Sequence, residues 1–375
     1  MKTIEFNLSF INIITVFVLI PLMDTLIQNI LIVLLIPLNV LYFLAKGIVI
    51  RSDMKYILLN FLSLLCWYLF LLVSDVEGYP RVLQWLAICS VFYYFAVEKL
   101  SKSDLFLLQL IASLYIISWI TYIPFSENIL SYSAYLPQKN ALGSMCVSMA
   151  TILLIKINEN RIVNIMLWVM LVTALLLSGS RGSMLSIIVM LSVYYLFSKK
   201  LVKFNSYNVT KLFLLFLFII FNFTIIYPAI ADTDLGVKLN TLSLEIFNQN
   251  FYSGRQLIWG MLLDIINQKF YIGHGLSAKP MFFMDTEFSS HNLYLQVLLQ
   301  SGIIGLLLLL STLFSVLIAL TKNKNILSYV SVGLLLGMLV HEAFEVSLTQ
   351  NNLATGLIIW ALLAIGISSK ENIRE

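Results

Sequence analysis

Apolar stretches of roughly 17 to 25 residues recur along the whole chain, each long enough as a helix to cross a hydrocarbon core about 30 Å thick. A β-barrel would instead show short segments of alternating polarity, whereas Leu212 to Tyr227 and Ile303 to Leu320 are apolar on every face. The repetition therefore predicts an all-α polytopic integral membrane protein. Composition agrees: of 375 residues 60% are hydrophobic and 11% charged, against about 25% charged in a soluble chain, and the mean hydropathy is +0.94.

Twelve spans are expected, at 8 to 23, 26 to 45, 56 to 74, 82 to 97, 105 to 124, 140 to 155, 162 to 177, 183 to 198, 212 to 231, 291 to 320, 326 to 346 and 353 to 369. Lys2 and the apolar run from Phe10 to Leu22, with no small-residue cleavage site after it, read as a retained first helix. With both termini cytoplasmic, 16 of the 23 basic residues fall on the inner side. The outer side then keeps Arg81, Lys139 and Arg181 in short connections, and Lys238, Arg255, Lys269 and Lys279 in one long loop, where the positive-inside rule has little force. This distribution reports topology. The net charge of +4 is spread between spans rather than gathered into a patch, so no nucleic-acid partner is implied. Cys66, Cys89 and Cys146 sit in apolar segments without CxxC spacing and imply no disulfide or zinc site.

Residues 1–375 form a single membrane domain in this reading, with no fixed-period repeat and no appended soluble domain. Residues 232–290, a long outer loop far beyond ordinary connection length, mark where function is to be sought. Within it, Leu257, Ile258, Met261, Leu262 and Ile265 recur at helical spacing opposite Arg255, Gln256 and Asp264, which predicts an amphipathic helix at the membrane surface.

The sharpest motif closes that loop: His291-Asn292, nine residues, Gly302, two residues, Gly305. It resembles the signature shared by bacterial O-antigen polymerases, O-antigen ligases and protein O-oligosaccharyltransferases. Ser178-Gly179-Ser180-Arg181-Gly182, Arg255 with Trp259, and Gly273-His274-Gly275 fit the same superfamily, so the motif-bearing region is 178–305. The resemblance implies a GT-C-like membrane glycosyltransferase of the bacterial inner membrane, multi-pass, with its site on the periplasmic side. Its partners would be undecaprenyl-diphosphate-linked oligosaccharides and membrane lipids, with a chain-length regulator and a flippase in the same pathway.

Chemistry for these residues can be argued separately. A histidine can take the proton of a sugar hydroxyl as it attacks an anomeric carbon, which makes His291 the candidate base. Arg181 and Arg255 are matched to a diphosphate, which a guanidinium meets bidentately; an interfacial anchor and a solvated helix start are their plainer alternatives. Gly302 and Gly305 read as a helix-packing motif. Asn292, Glu345, His341 and Trp259 are candidates for acceptor binding or support, His341 and Glu345 because they lie four apart on one helix face. Trp259 and Tyr252 could stack on sugars, though an interfacial aromatic belt would look the same. His274 reads as a turn residue. Diphosphate is a good leaving group, so paired glycosidase carboxylates are not required. Asp232-Thr233-Asp234 reads as a solvated loop start rather than a metal site, so no cofactor is expected.

The reading favoured here is polymerisation: the growing glycan passes from its carrier to the non-reducing end of another carrier-linked repeat unit. An O-antigen ligase would use the same donor and accept on lipid A core. A protein acceptor fits less well, because Ser369 to Glu375 is only a short tail. A lipid-linked oligosaccharide flippase or other transporter is the alternative of another class. It should place charge along a central cavity and show two related halves, whereas the informative residues here cluster at one face.

Overall fold

The structure is a computed structural model describing residues 8–23, 25–47, 51–52, 54–126, 129–155, 160–247, 250–252, 254–284, 289–350 and 353–368. Lys2, Lys156, Lys370 and Arg374, on which part of the topology argument rests, lie outside these residues. Among the described residues the chain is all-helical: α1 (Leu8–Val18), α2 (Leu26–Lys46), α3 (Lys55–Leu72), α4 (Tyr79–Val97), α5 (Lys102–Tyr122), α6 (Lys139–Leu154), α7 (Arg161–Ser178), α8 (Arg181–Ser198), α9 (Ser206–Ala229), α10 (Asp234–Phe247), α11 (Arg255–Gln268), α12 (Leu293–Leu320), α13 (Ile326–His341) and α14 (Leu353–Ser368). It is a polytopic membrane protein. Among the described residues eight helices are long and apolar enough to cross a bilayer, and the first, sixth, eleventh and twelfth expected spans are shorter apolar helices.

Local sequence explains the boundaries. Asn160, Asn205 and Asn325 accept backbone N–H bonds at the starts of α7, α9 and α13, and Ser101 with Asp104 forms a capping box on α5. Left-handed Gly179 stops α7 and lets the chain reverse into α8 within two residues. Small residues then decide the packing. A Cβ on Gly333 or Gly337 of α13 would come within 2.7 Å of the Met190 or Ser186 carbonyl of α8, so these two helices touch backbone to backbone. Helices α6, α13 and α14 are buried along nearly their whole length. Helices α2, α3, α7 and α9 surround them and turn Leu41, Phe70, Ile165 and Phe218 outward, toward lipid.

Helix α12 departs from its expected uniform course. Gly302 has φ +65° and ψ −170°, which breaks the helix, and a Cβ there would lie 2.2 Å from the Tyr271 carbonyl oxygen. Backbone freed in a membrane must find new partners. Here the segment 270–275 supplies them: His274 and Gly275 N–H donate to the Leu299 and Gln300 carbonyls at 2.7 and 3.2 Å, and Ile303 N–H donates to Phe270 at 2.8 Å. Trp67 of α3 takes the Ser301 carbonyl at 3.1 Å. Gly302 is therefore a break that receives a loop, not the packing contact its spacing suggested; a Cβ on Gly305 would meet the Ser301 side chain of its own helix at 2.0 Å and the Trp67 indole nitrogen of α3 at 3.3 Å. The same loop is held on its other side by Asp75, whose carboxylate accepts from Ser277 N–H and Oγ–H at 2.7 and 2.8 Å.

Two more expectations change. The eleventh span ends at His341, and Glu342 to Phe344 form a turn beyond it. Among its described residues the 232–290 segment carries two α-helices rather than one, with a 3-10 turn at Pro280–Phe282. In α11 the apolar positions divide: Trp259, Leu262 and Ile266 are buried, with α11 packed against α9 and α12, while Leu257 and Met261 remain exposed.

Candidate active site

Five pieces of chain meet around one cavity of about 680 Å³. They are the start of α6 (Lys139, Asn140), the α7–α8 turn (Gly179 to Gly182), the start of α11 (Gly254, Arg255, Leu257, Ile258, Met261), the approach to α12 (Phe283, Met284, His291), and the end of α13 (His341, Phe344, Glu345). The glycines on α13 that bring it against α8 thus also bring together the ends that form the cavity.

Glu345 organises the centre. Its Oε1 accepts from His291 Nδ1 at 3.1 Å and from the side-chain amide of Asn140, and Arg255 Nη2 lies 3.8 Å away. The carboxylate is nearly buried, yet three donors converge on one oxygen. Burial alone would raise its pKa; the hydrogen bond and charge of His291, with His341 and Arg255, outweigh that and hold it below the ordinary carboxyl value. Arg255, conversely, is pulled below its usual value by burial, with Glu345 opposing the shift. The guanidinium also lies over the Phe344 ring, 5.8 Å from its centre.

His291 sits in the left-handed region at φ +45°, a conformation costly for a residue with a Cβ. Its surroundings impose it. Ser289 Oγ accepts its backbone N–H at 3.2 Å, and two residues on Leu293 N–H donates to the Glu342 carbonyl at 2.8 Å, tying the start of α12 to the turn that carries Glu345. A carboxylate beside Nδ1 favours the tautomer with its proton there, which leaves Nε2 as the basic nitrogen. The imidazole side chain is 24% exposed, and His291 lines the cavity.

Positive potential dominates the remaining wall. Helices α6, α8 and α11 all begin at the cavity with a basic residue, Lys139, Arg181 and Arg255, and none of the three has a side-chain cap on its first N–H groups. A helix start already carries positive partial charge, and a cation added there is unfavourable unless an anion joins it. Glu345 is the sole acidic residue among the described lining residues. Arg181 is exposed and donates to the Asn250 carbonyl at 3.3 Å. Opposite in character, Leu257, Ile258, Met261, Phe283, Met284 and Phe344 make the lining apolar.

At the cavity wall, His341 is fully buried and satisfied at both nitrogens. Nε2 meets Ser144 and Ser183 at 2.9 and 3.2 Å, and Nδ1 meets Glu342 and Ser347, each at 3.3 Å. Its carbonyl accepts from Glu345 N–H at 3.1 Å, so the network fixes the turn that carries Glu345.

Several candidates serve the frame instead. Trp259 is wholly buried, so it offers no face for a sugar; its indole donates to the Ser290 carbonyl at 2.8 Å and pins the residue before His291. Tyr252 is likewise buried. Asn292 caps α12 through Leu295 N–H at 3.1 Å, and its amide reaches Thr224 at 3.4 Å. His274 Nε2 pairs with the Ile265 carbonyl at 2.8 Å and its ring meets Phe283. Asp232 and Asp234 are exposed at the entry to α10 and do not line the cavity.

Lys139 and Asn140 belong to no motif singled out in the sequence. Their signal was electrostatic: of the three cations assigned to short outer connections, Arg81, Lys139 and Arg181, two line this cavity. Residues 165–310 match the family described as O-antigen ligase. That stretch holds Arg181, Arg255, His291, Gly302 and Gly305, and leaves Lys139, Asn140, His341 and Glu345 outside it. No curated protein matches the chain.

Proposed function

We propose that this chain, a member of the O-antigen ligase and polymerase superfamily of membrane glycosyltransferase-like enzymes, is a glycan polymerase working on polyprenyl-diphosphate carriers. One observation carries the reading: the His291–Glu345 pair lies in the same cavity as Lys139, Arg181 and Arg255, with an apolar lining beside them. A lipid-linked diphosphate sugar has these three parts, a reacting hydroxyl and anomeric carbon, a strong anion and an apolar chain.

The donor is the growing glycan on undecaprenyl diphosphate, its phosphates met by Arg181 and Arg255. The acceptor is the non-reducing-end hydroxyl of a second carrier-linked repeat unit. As that oxygen bonds to the anomeric carbon, its proton passes to His291 Nε2, the bond to the diphosphate breaks, and the carrier diphosphate departs with the electron pair. A single displacement inverts the anomeric configuration. Glu345 stabilises the imidazolium that forms, as a buried carboxylate beside a catalytic histidine can. The protein would work in the bacterial inner membrane with the cavity on the periplasmic side.

Ligation to lipid A core is the second reading, favoured by the description of the matching family as O-antigen ligase. Lipopolysaccharide from a strain lacking the gene separates the two. Core bearing a single repeat unit, restored to a ladder by the wild-type gene but not by His291→Ala, supports polymerisation. Bare core with long carrier-linked chains accumulating means ligation. A normal ladder from His291→Ala would remove that residue as base.

A further inference from the structure

Helix α10 (Asp234–Phe247) is amphipathic in a way that does not suit its contacts with the protein. The residues it turns inward are small or polar: Gly236 and Ser243 are buried, and Asn240 Oδ1 accepts from Phe251 N–H at 2.9 Å. Leu235, Leu239, Leu242 and Ile246, spaced at i, i+4, i+7 and i+11, form a separate stripe. Three of these four are more than half exposed, and Leu239 is half-buried. Asp234, Lys238, Thr241 and Glu245 form a third, wholly exposed face, and Val237 and Leu244, also exposed, lie beyond it on the side away from the stripe.

What covers the leucine stripe follows from where the helix starts. It begins five residues after α9 ends, and a Cβ on Gly236 would lie 2.0 Å from the Ile230 carbonyl, so α10 is pressed against the end of α9. Helix α9 turns Phe218, Ile225 and Ile226 outward, the surface by which a membrane helix meets lipid. The stripe on α10 thus continues a lipid-facing surface at its edge, where helices with one apolar and one charged face lie in the bilayer interface. The charged face holds two acidic residues and one basic, so attraction to anionic headgroups is not what holds it.

We propose that α10 lies in the bilayer interface, with Leu235, Leu242 and Ile246 among the acyl chains and Asp234, Lys238 and Glu245 in water, and holds the cavity mouth at headgroup depth. The coupling is short. Asn240 holds Phe251 N–H, Arg181 holds the Asn250 carbonyl, and Arg255 follows at the start of α11. A carrier diphosphate sits at that depth in its leaflet, so the anchor brings the cations to the anion and spares a long extraction of the lipid.

The test needs no activity. In phosphatidylcholine proteoliposomes, with wild type as blank, a membrane-impermeant maleimide should label Thr241→Cys at least about tenfold faster than Leu242→Cys. Bimane attached to Leu242→Cys should lose more than about half its emission in vesicles of brominated phosphatidylcholine, and on Thr241→Cys far less. Both positions are exposed in the fold, so neither substitution threatens it. Equal labelling would place the stripe in water. Slow labelling without bromine quenching would mean that a second protein copy covers it. Either result overturns the proposal.

Discussion

Replacing Glu345 by Gln keeps the shape of the side chain and its capacity to accept from His291 and Asn140, and removes only the negative charge. Two unit charges about 4 Å apart attract by about 4 kcal/mol at the effective dielectric suited to such sites, and His291 Nδ1 lies 3.1 Å from the carboxylate. In the proposed reaction the imidazolium forms as the acceptor proton transfers, so the loss falls on the transition state. At about 1.4 kcal/mol per tenfold in rate, that is roughly 10²- to 10³-fold in kcat once relaxation of the site is allowed for. Arg255, 3.8 Å from the same oxygen, loses its counter-charge and becomes freer for the donor phosphates. Donor KM should therefore hold or fall while kcat collapses, which simple damage to the site would not produce. The assay is elongation of a synthetic carrier-linked repeat unit by purified protein in nanodiscs, with thermal melting alongside. Adding the change to His291→Ala should cost little more, since the two residues act as a unit. A folded Glu345→Gln protein within tenfold of wild-type kcat would refute the pairing of this carboxylate with a catalytic base.

Glycine substitutions should separate sharply. Gly302→Ala, facing the Tyr271 carbonyl at 2.2 Å with φ +65°, should abolish folded protein in size-exclusion profiles. Gly260→Ala has only Pro228 Cβ near, at 3.9 Å, and should melt no lower than wild type, gaining up to about 1 kcal/mol from helix propensity. Comparable folded yields of the two would count against the broken-helix account. Stability should also report on Glu345. Its folded pKa is depressed, so its contribution is fully present above the ordinary carboxyl value of 4.5 and is lost as pH falls through the lower folded value. The gap in melting temperature between wild type and Glu345→Gln should close only at that acidic end; a gap unchanged down to pH 3 would sink the assignment.

Hydropathy alone located the helices of the bundle to within six residues at each end, because a segment that must cross lipid has little choice of conformation. His291, Arg181 and Arg255 were legible as well, the first through its motif and the arginines through the cost of a cation near lipid. The partners that complete the cavity were not. Asn140 is an ordinary residue at the start of an apolar helix, and only the approach of α6 to the end of α13 brings it to Glu345. Trp259 looked like a sugar platform because its spacing shows a helix face but not which side is covered. Gly302 announced close packing, yet whether a glycine serves a neighbouring helix or a broken backbone depends on a loop thirty residues away. Helix α10 escaped notice because its inward face is polar, which reads as an exposed loop.

The break in α12 has a bearing on how such a fold is completed during synthesis. Carbonyls at Leu299, Gln300 and Ser301 are answered by the loop before α12 and by Trp67 from α3, elements made at very different times during synthesis. Glu345, in turn, comes from the turn after α13. A nascent chain therefore holds Arg181 and Arg255 before it holds Glu345, the carboxylate that pairs with His291. On the proposed mechanism, glycan transfer must wait until the turn beyond α13 has been made.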